Sequence, residues 1–283
     1  MSYVIVGIHG LANKPPAKVL EKWWRQAILE GLARNCGNTE QMIEFTIVYW
    51  AHNLHDPLQD PGNMDEPYVK AEGSGPLKTY KDGWCDDVVA GVLGIAGLTL
   101  DAAKRYLGIS ELADRVLHAK LNDLSNYYKN RKIREKLRST LETKLKALKG
   151  KRVMLIAHSM GSIIAYDVLR IIGRKDPNYR LDHFVTIGSP LGLPHVKDRI
   201  YRENHLVRTP TVVRKWTNFS ERRDPVALDV HLANDYEPND HGIQVKDDLI
   251  INGYVGKGGE PNYHKSYGYL RTPELSKAVR SFI

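Results

Sequence analysis

Cysteine is scarce in this chain: Cys36 and Cys85 are the two among 283 residues, and they show no metal-type spacing. That argues against a disulfide-framed secreted scaffold and makes free thiols the expectation. Long apolar runs are lacking too. The longest, Val88 to Leu100, has thirteen residues including three glycines, which is too short to span a bilayer. Met1 to His9 holds no basic stretch and no cleavage-site pattern and reads directly as a strand, so no export signal is expected and the expected location is cytoplasmic. No internal repeat or low-complexity tract interrupts the chain.

What is present is ordinary globular composition, 42% hydrophobic and 26% charged, with length enough for one substantial core. The net charge of +8 is local. His118 to Arg152 carries twelve Lys/Arg against three acids, a net of +9, which leaves the remainder near −1. Within it Ile133, Leu137, Leu141, Leu145 and Leu148 form a stripe at helical spacing, as in a helix packed on a sheet with a solvated basic back. No nucleic-acid-binding motif accompanies the charge, so nucleic acid is not an expected partner. Contact of residues 129–152 with anionic lipid headgroups is the more coherent partner reading, since a basic face and an apolar insertion would act together.

Taken in order, Tyr3 to Ile8 is apolar at nearly every position, as in a buried parallel strand. Pro15-Pro16 opens a helix that runs to Asn35, and Ile43 to Trp50 is a second strand. Residues 52–125 read as a mostly helical cap or lid insertion, beginning in an irregular loop rich in proline and acids, between core segments 1–51 and 126–283. Further strands are expected at Val153 to Ile156, His183 to Ile187, Thr211 to Asn218 and Leu249 to Ile251. Ile163 to Ile172 reads as a helix closed by Gly173, and Thr272 caps a last helix that starts at Pro273. Strands alternating with helices predict an α/β fold with about six mostly parallel strands and helices on both faces.

The chemistry centres on Ala157-His158-Ser159-Met160-Gly161, which joins a strand to a helix through a sharp turn. A serine at such an apex sits in strained backbone geometry with its Oγ lifted above the sheet edge. Small residues at 157 and 161 let strand and helix pass closely. The pentad alone is weak evidence, expected by chance about 0.2 times in a chain of this length, so its context carries the weight. A serine hydroxyl needs a base, and the base needs an orienting carboxylate. Reactive groups gather at the carboxyl ends of parallel strands, which nominates Asp224 on an exit loop and His264 in the loop after the last strand. Asp229, Asp235 and Asp240 compete for the acid position, and His231 and His241 for the base. His9 and His158 are read as structural neighbours. His52, His55, Asp56 and Asp60 could suggest a metal, but ligand spacing on an irregular loop is uninformative, and no metal site is expected.

Together these segments resemble an α/β-hydrolase of the lipase/esterase type. His9-Gly10-Leu11 is similar to the oxyanion loop of that family, Ala157 to Gly161 to its nucleophile elbow, Trp216 to Val226 to its acid loop, and Asn262-Tyr263-His264 to its histidine loop. The resemblance covers residues 3 to 50 and about 130 to 283. Ala157 stands where the family usually has glycine, the two strands that usually open the sheet are absent, and the insertion follows the second strand. The resemblance implies Ser159 as nucleophile, His264 as general base and Asp224 as its orienter. It also implies an oxyanion hole from the backbone N–H groups of Leu11 and Met160. No cofactor is implied, and the substrate expected is a small-molecule or lipid-like ester with an apolar acyl group, for which Val88 to Leu100 could line a pocket. A thioesterase or amidase would use the same residues, and an interaction protein with a silent site would keep the fold.

Overall fold

The computed structural model describes residues 2–37, 42–81 and 127–283. Six parallel strands are formed by β1 (Tyr3–Ile8), β2 (Phe45–Val48), β3 (Arg152–His158), β4 (His183–Ile187), β5 (Trp216–Ser220) and β6 (Val245–Leu249), in the spatial order β2-β1-β3-β4-β5-β6. Among the described residues the helices with defined bounds are α1 (Ala17–Cys36), α2 (Arg131–Ala147), α3 (Met160–Lys175), α4 (Pro194–Asn204), α5 (Ser266–Leu270) and α6 (Pro273–Phe282).

Period-two alternation divides the core into two layers. Val4, Val6 and Ile8 of β1 and Val153, Leu155 and Ala157 of β3 face one side, where Leu137, Leu141 and Leu145 of α2 and Ile164 and Val168 of α3 cover them. Ile5, Met154 and Ile156 face the other, under Trp24, Ile28 and Leu32 of α1 and Leu275, Val279 and Phe282 of α6. Helices therefore lie on both faces. The parallel order, with crossover helices between strands, is that of an α/β-hydrolase core.

Several boundaries differ from the sequence reading, each for a physical reason. The fifth strand was expected at Thr211 to Asn218 but occupies Trp216–Ser220; Thr211 to Arg214 form a turn, with Val213 N–H bonded to Pro210 O. The sixth was expected at Leu249 to Ile251 but occupies Val245–Leu249, a sheet-edge strand whose Lys246, Asp247 and Asp248 hide the apolar signal. Gly173 does not end its helix, which continues to Lys175. A Cβ there would lie 2.6 Å from Thr211 Oγ1, so the glycine serves close packing. Helix α4 was not anticipated. Thr272 does cap α6, accepting from Leu275 N–H at 3.3 Å.

Of the expected cap, residues 52–81 are described and contain one short 3₁₀ turn, Ala51–Asn53, followed by an irregular strap. The strap is tied to the core by Arg34, which donates to the carbonyls of Ala71, Glu72 and Gly75, and by Arg271, which donates to Val69 O. The Val88 to Leu100 run and the remainder of the insertion up to residue 125 lie outside the described residues.

Candidate active site

Strand β3, in the middle of the sheet, delivers Ser159 to the carboxyl end of the strands, and the turn into α3 holds it at φ 54° and ψ −132°, a conformation an L-residue adopts only under constraint. The constraint is backbone packing. A Cβ on Gly161 would lie 2.7 Å from the carbonyl oxygens of both Ile8 and His9, so only glycine lets α3 start this close to the end of β1. A Cβ on Gly10 would lie 2.6 Å from Ser159 Cβ, so the loop after β1 passes directly over the serine. Ser159 N–H is bonded to Ile187 O at 3.1 Å, and Ser162 Oγ donates to Ser159 O at 2.6 Å. Met160 is the first residue of α3, so its N–H belongs to the positive end of the helix dipole.

The loop after β1 is braced in turn. His9 Nδ1 donates to Gly10 O at 2.8 Å and Nε2 accepts from Trp50 N–H at 3.0 Å, while the imidazole stacks on the indole at 4.5 Å. Burial and the nearby Lys14 ammonium push the His9 pKa down to about 3, so the ring is neutral and structural. Lys14 Nζ donates to the carbonyls of Leu11 and Ala12, and Ala12 is turned to φ 67°.

On the other side, Asp224 follows β5 and His264 follows β6. Asp224 Oδ1 accepts from Val226 N–H at 2.8 Å, an Asx turn across Pro225 that aims the carboxylate inward. His264 Nδ1 lies 2.8 Å from both Asp224 oxygens. Because a carboxylate accepts, Nδ1 carries the hydrogen, and Nε2 is the ring nitrogen able to take a proton. His158 Nε2 donates to His264 O at 2.8 Å, with the two rings 4.6 Å apart. Tyr269 Oη donates to Asp224 Oδ2 at 2.8 Å.

Ser159 and His264 line one cavity of about 160 Å³ with Leu11, Trp24, Met64 and Lys265. Ser159, Asp224 and His264 are 1%, 1% and 5% exposed, so the reacting groups would work in a water-poor interior. The strap forms one wall: Glu66 accepts from Asn262 Nδ2 at 2.6 Å and pairs with Lys265 at 3.1 Å. Desolvation holds the Lys265 ammonium below its ordinary range against the opposing pull of Glu66.

The structure thus brings Ser159, His264 and Leu11 to one cavity and joins Asp224 to His264. The competing acids go elsewhere: Asp229 and Asp235 meet Lys197, and Asp240 meets Arg208. Among the described residues, no group of three or more His, Cys, Asp or Glu is arranged to hold a metal ion. Sequence reasoning missed Lys14, Glu66, Lys265 and Tyr269. Lys14 is four residues from Gly10 and detectable by proximity; Glu66 and Tyr269 carry no local signal.

The family model of lecithin:cholesterol acyltransferase matches residues 119–196, the segment that holds α2, β3, the serine turn, α3 and β4. No curated protein matches the chain. Among solved structures, a lipase-esterase related protein from Clostridium acetobutylicum ATCC 824 is similar at 10% identity with a TM-score of 0.33, covering 99% of this chain and 94% of that one. The acyltransferase-family match falls on the serine turn and supports hydrolase or acyltransferase chemistry, in line with the resemblance to lipase/esterase-type α/β-hydrolases. No helix among the described residues is long and apolar enough to cross a membrane.

Proposed function

We propose that this protein is a serine hydrolase of carboxylic esters. The observation that carries the reading is the His264–Asp224 pair, 2.8 Å apart, whose imidazole shares a cavity with a serine held at positive φ. His264 takes the Ser159 proton as Oγ attacks the ester carbonyl. Asp224 holds the imidazole in the required tautomer and stabilises the imidazolium that forms. The tetrahedral oxyanion is received by the N–H groups of Leu11 and Met160, each such donor being worth about 3 kcal/mol. Collapse expels the alcohol, protonated by His264, and leaves an acyl-Ser159 ester that a water deprotonated by the same histidine cleaves. No step requires a cofactor.

The name of the matched family favours a second reading, in which an acceptor alcohol replaces water in the final step. Both share the acyl-enzyme, and product analysis with and without added alcohols separates them. A fluorophosphonate probe tests what they share: labelling of Ser159 in the wild type and none in Ser159→Ala is expected, and an unlabelled wild-type serine would sink both.

The substrate class proposed is a small or lipid-like ester, with the basic 129–152 segment as a weak contact for anionic membrane surfaces. Co-sedimentation with anionic vesicles at low salt, lost at high salt, is the expected outcome for that contact.

A further inference from the structure

Tyr269 stands outside every motif of the site, yet its side chain reaches the acid. It lies on α5, five residues after His264, and is fully buried. Its hydroxyl donates to Asp224 Oδ2 at 2.8 Å and accepts from Glu221 N–H at 3.1 Å. A phenol has one hydrogen to give, and here it goes to the carboxylate. Burial and the adjacent Asp224 push the hydroxyl well above its ordinary range, so it keeps that hydrogen at neutral pH. The carboxylate is thus gripped on both oxygens, Oδ1 by the Val226 N–H and Oδ2 by Tyr269, with His264 Nδ1 at 2.8 Å from each. Gly188, at the end of β4, leaves room for this arrangement: a Cβ there would lie 2.8 Å from Asp224 Oδ2 and 3.2 Å from the Tyr269 ring.

We infer that Tyr269 is a positioning residue of the site: its hydroxyl fixes the carboxylate orientation presented to His264 and moderates how strongly Asp224 attracts the imidazolium. The inference rests on the serine-hydrolase reading for its kinetic consequence, but the coupling itself concerns the folded protein. A donor on a carboxylate withdraws charge from it. Without that donor Asp224 is more basic and favours protonated His264, and the base is recruited at higher pH.

Other charged and titratable groups surround the pair. Glu221 is buried beside Tyr269 but locked in a bidentate pair with Arg223, at 2.9 and 3.0 Å. His158 faces His264 from β3, and Lys14, Lys265 and Glu66 line the same cavity. Tyr269→Phe leaves the identity of all of them unchanged, so a shift in His264 reports the lost hydroxyl.

The test is the titration of His264, read by NMR of labelled histidine and by the acidic limb of kcat/KM. Tyr269→Phe is expected to raise the His264 pKa by about half a unit and to lower kcat/KM at acidic pH about 3-fold. In an Asp224→Asn background the same substitution should shift nothing, because the coupling passes through the carboxylate. Replacing Tyr269 by 3-fluorotyrosine, a stronger donor of the same shape, should move the pKa downward, and this arm remains if Tyr269→Phe fails to fold. An unchanged or lowered His264 pKa in Tyr269→Phe, or an equal shift with and without Asp224, overturns the inference. Failure of the hydrolase reading would instead appear as an unlabelled Ser159, while the NMR titration would still report on Tyr269.

Discussion

At Ser159 the site is held by main chain: the carbonyls of Ile8 and His9 against Gly161, Gly10 against the serine, and Ile187 O on its N–H. At His264 it is held by side chains from three separate segments, Asp224 after β5, His158 at the end of β3 and Tyr269 on α5. The main-chain half tolerates almost no change in residue size. The side-chain half tolerates size better but depends on donors and acceptors being correctly matched.

Substitutions on each side sharpen the contrast. Ser159→Ala has the largest expected effect, a loss of at least ~10⁴-fold in ester hydrolysis with the fold intact, measured on the purified variant. Asp224→Asn is expected to cost about 10³- to 10⁴-fold in kcat, because the amide stabilises the wrong imidazole tautomer, and to lower Tm, because its NH₂ must face the buried donor Val226 N–H or Tyr269 Oη. Retained activity in Asp224→Asn would move the orienting role to another acid. Gly161→Ala tests the main-chain half. Alanine is the better helix former by about 1 kcal/mol, yet its Cβ meets two carbonyls at 2.7 Å, so overpacking should win and the variant should lose about 1–3 kcal/mol in denaturant unfolding. A Gly161→Ala variant more stable than wild type would show that α3 and β1 can separate. The smallest expected effect, about 3-fold in kcat/KM, is that of Tyr269→Phe.

The same division explains what could be read in advance. Strands β1 and β3 are legible because central parallel strands are buried on both faces and read as continuous apolar runs. The α2 stripe was legible because Leu137, Leu141 and Leu145 repeat at helical spacing. Strand β6 is hidden in the sequence because an edge strand can carry Lys246, Asp247 and Asp248 without burying them fully. Gly173 looks like a helix stop in the sequence because its reason for being small, Thr211, is 38 residues away. Asp224 was one of four acids and His264 one of three histidines in their stretch, and order along the chain was the guide in both cases.

Local sequence made the serine turn recognisable, since strand, small residues and helix are contiguous, while the steric demand on Gly161 comes from the Ile8 and His9 carbonyls at the end of β1. It also determined the alternation of strands and helices that makes the sheet parallel. Tertiary structure alone decided which carboxylate reaches His264, that the strap supplies Glu66 to one wall of the cavity, and that Tyr269 grips the acid. Those contacts join residues 40 to 199 positions apart, and a hydrogen bond at 2.8 Å is a property of position in space that no spacing along the chain encodes.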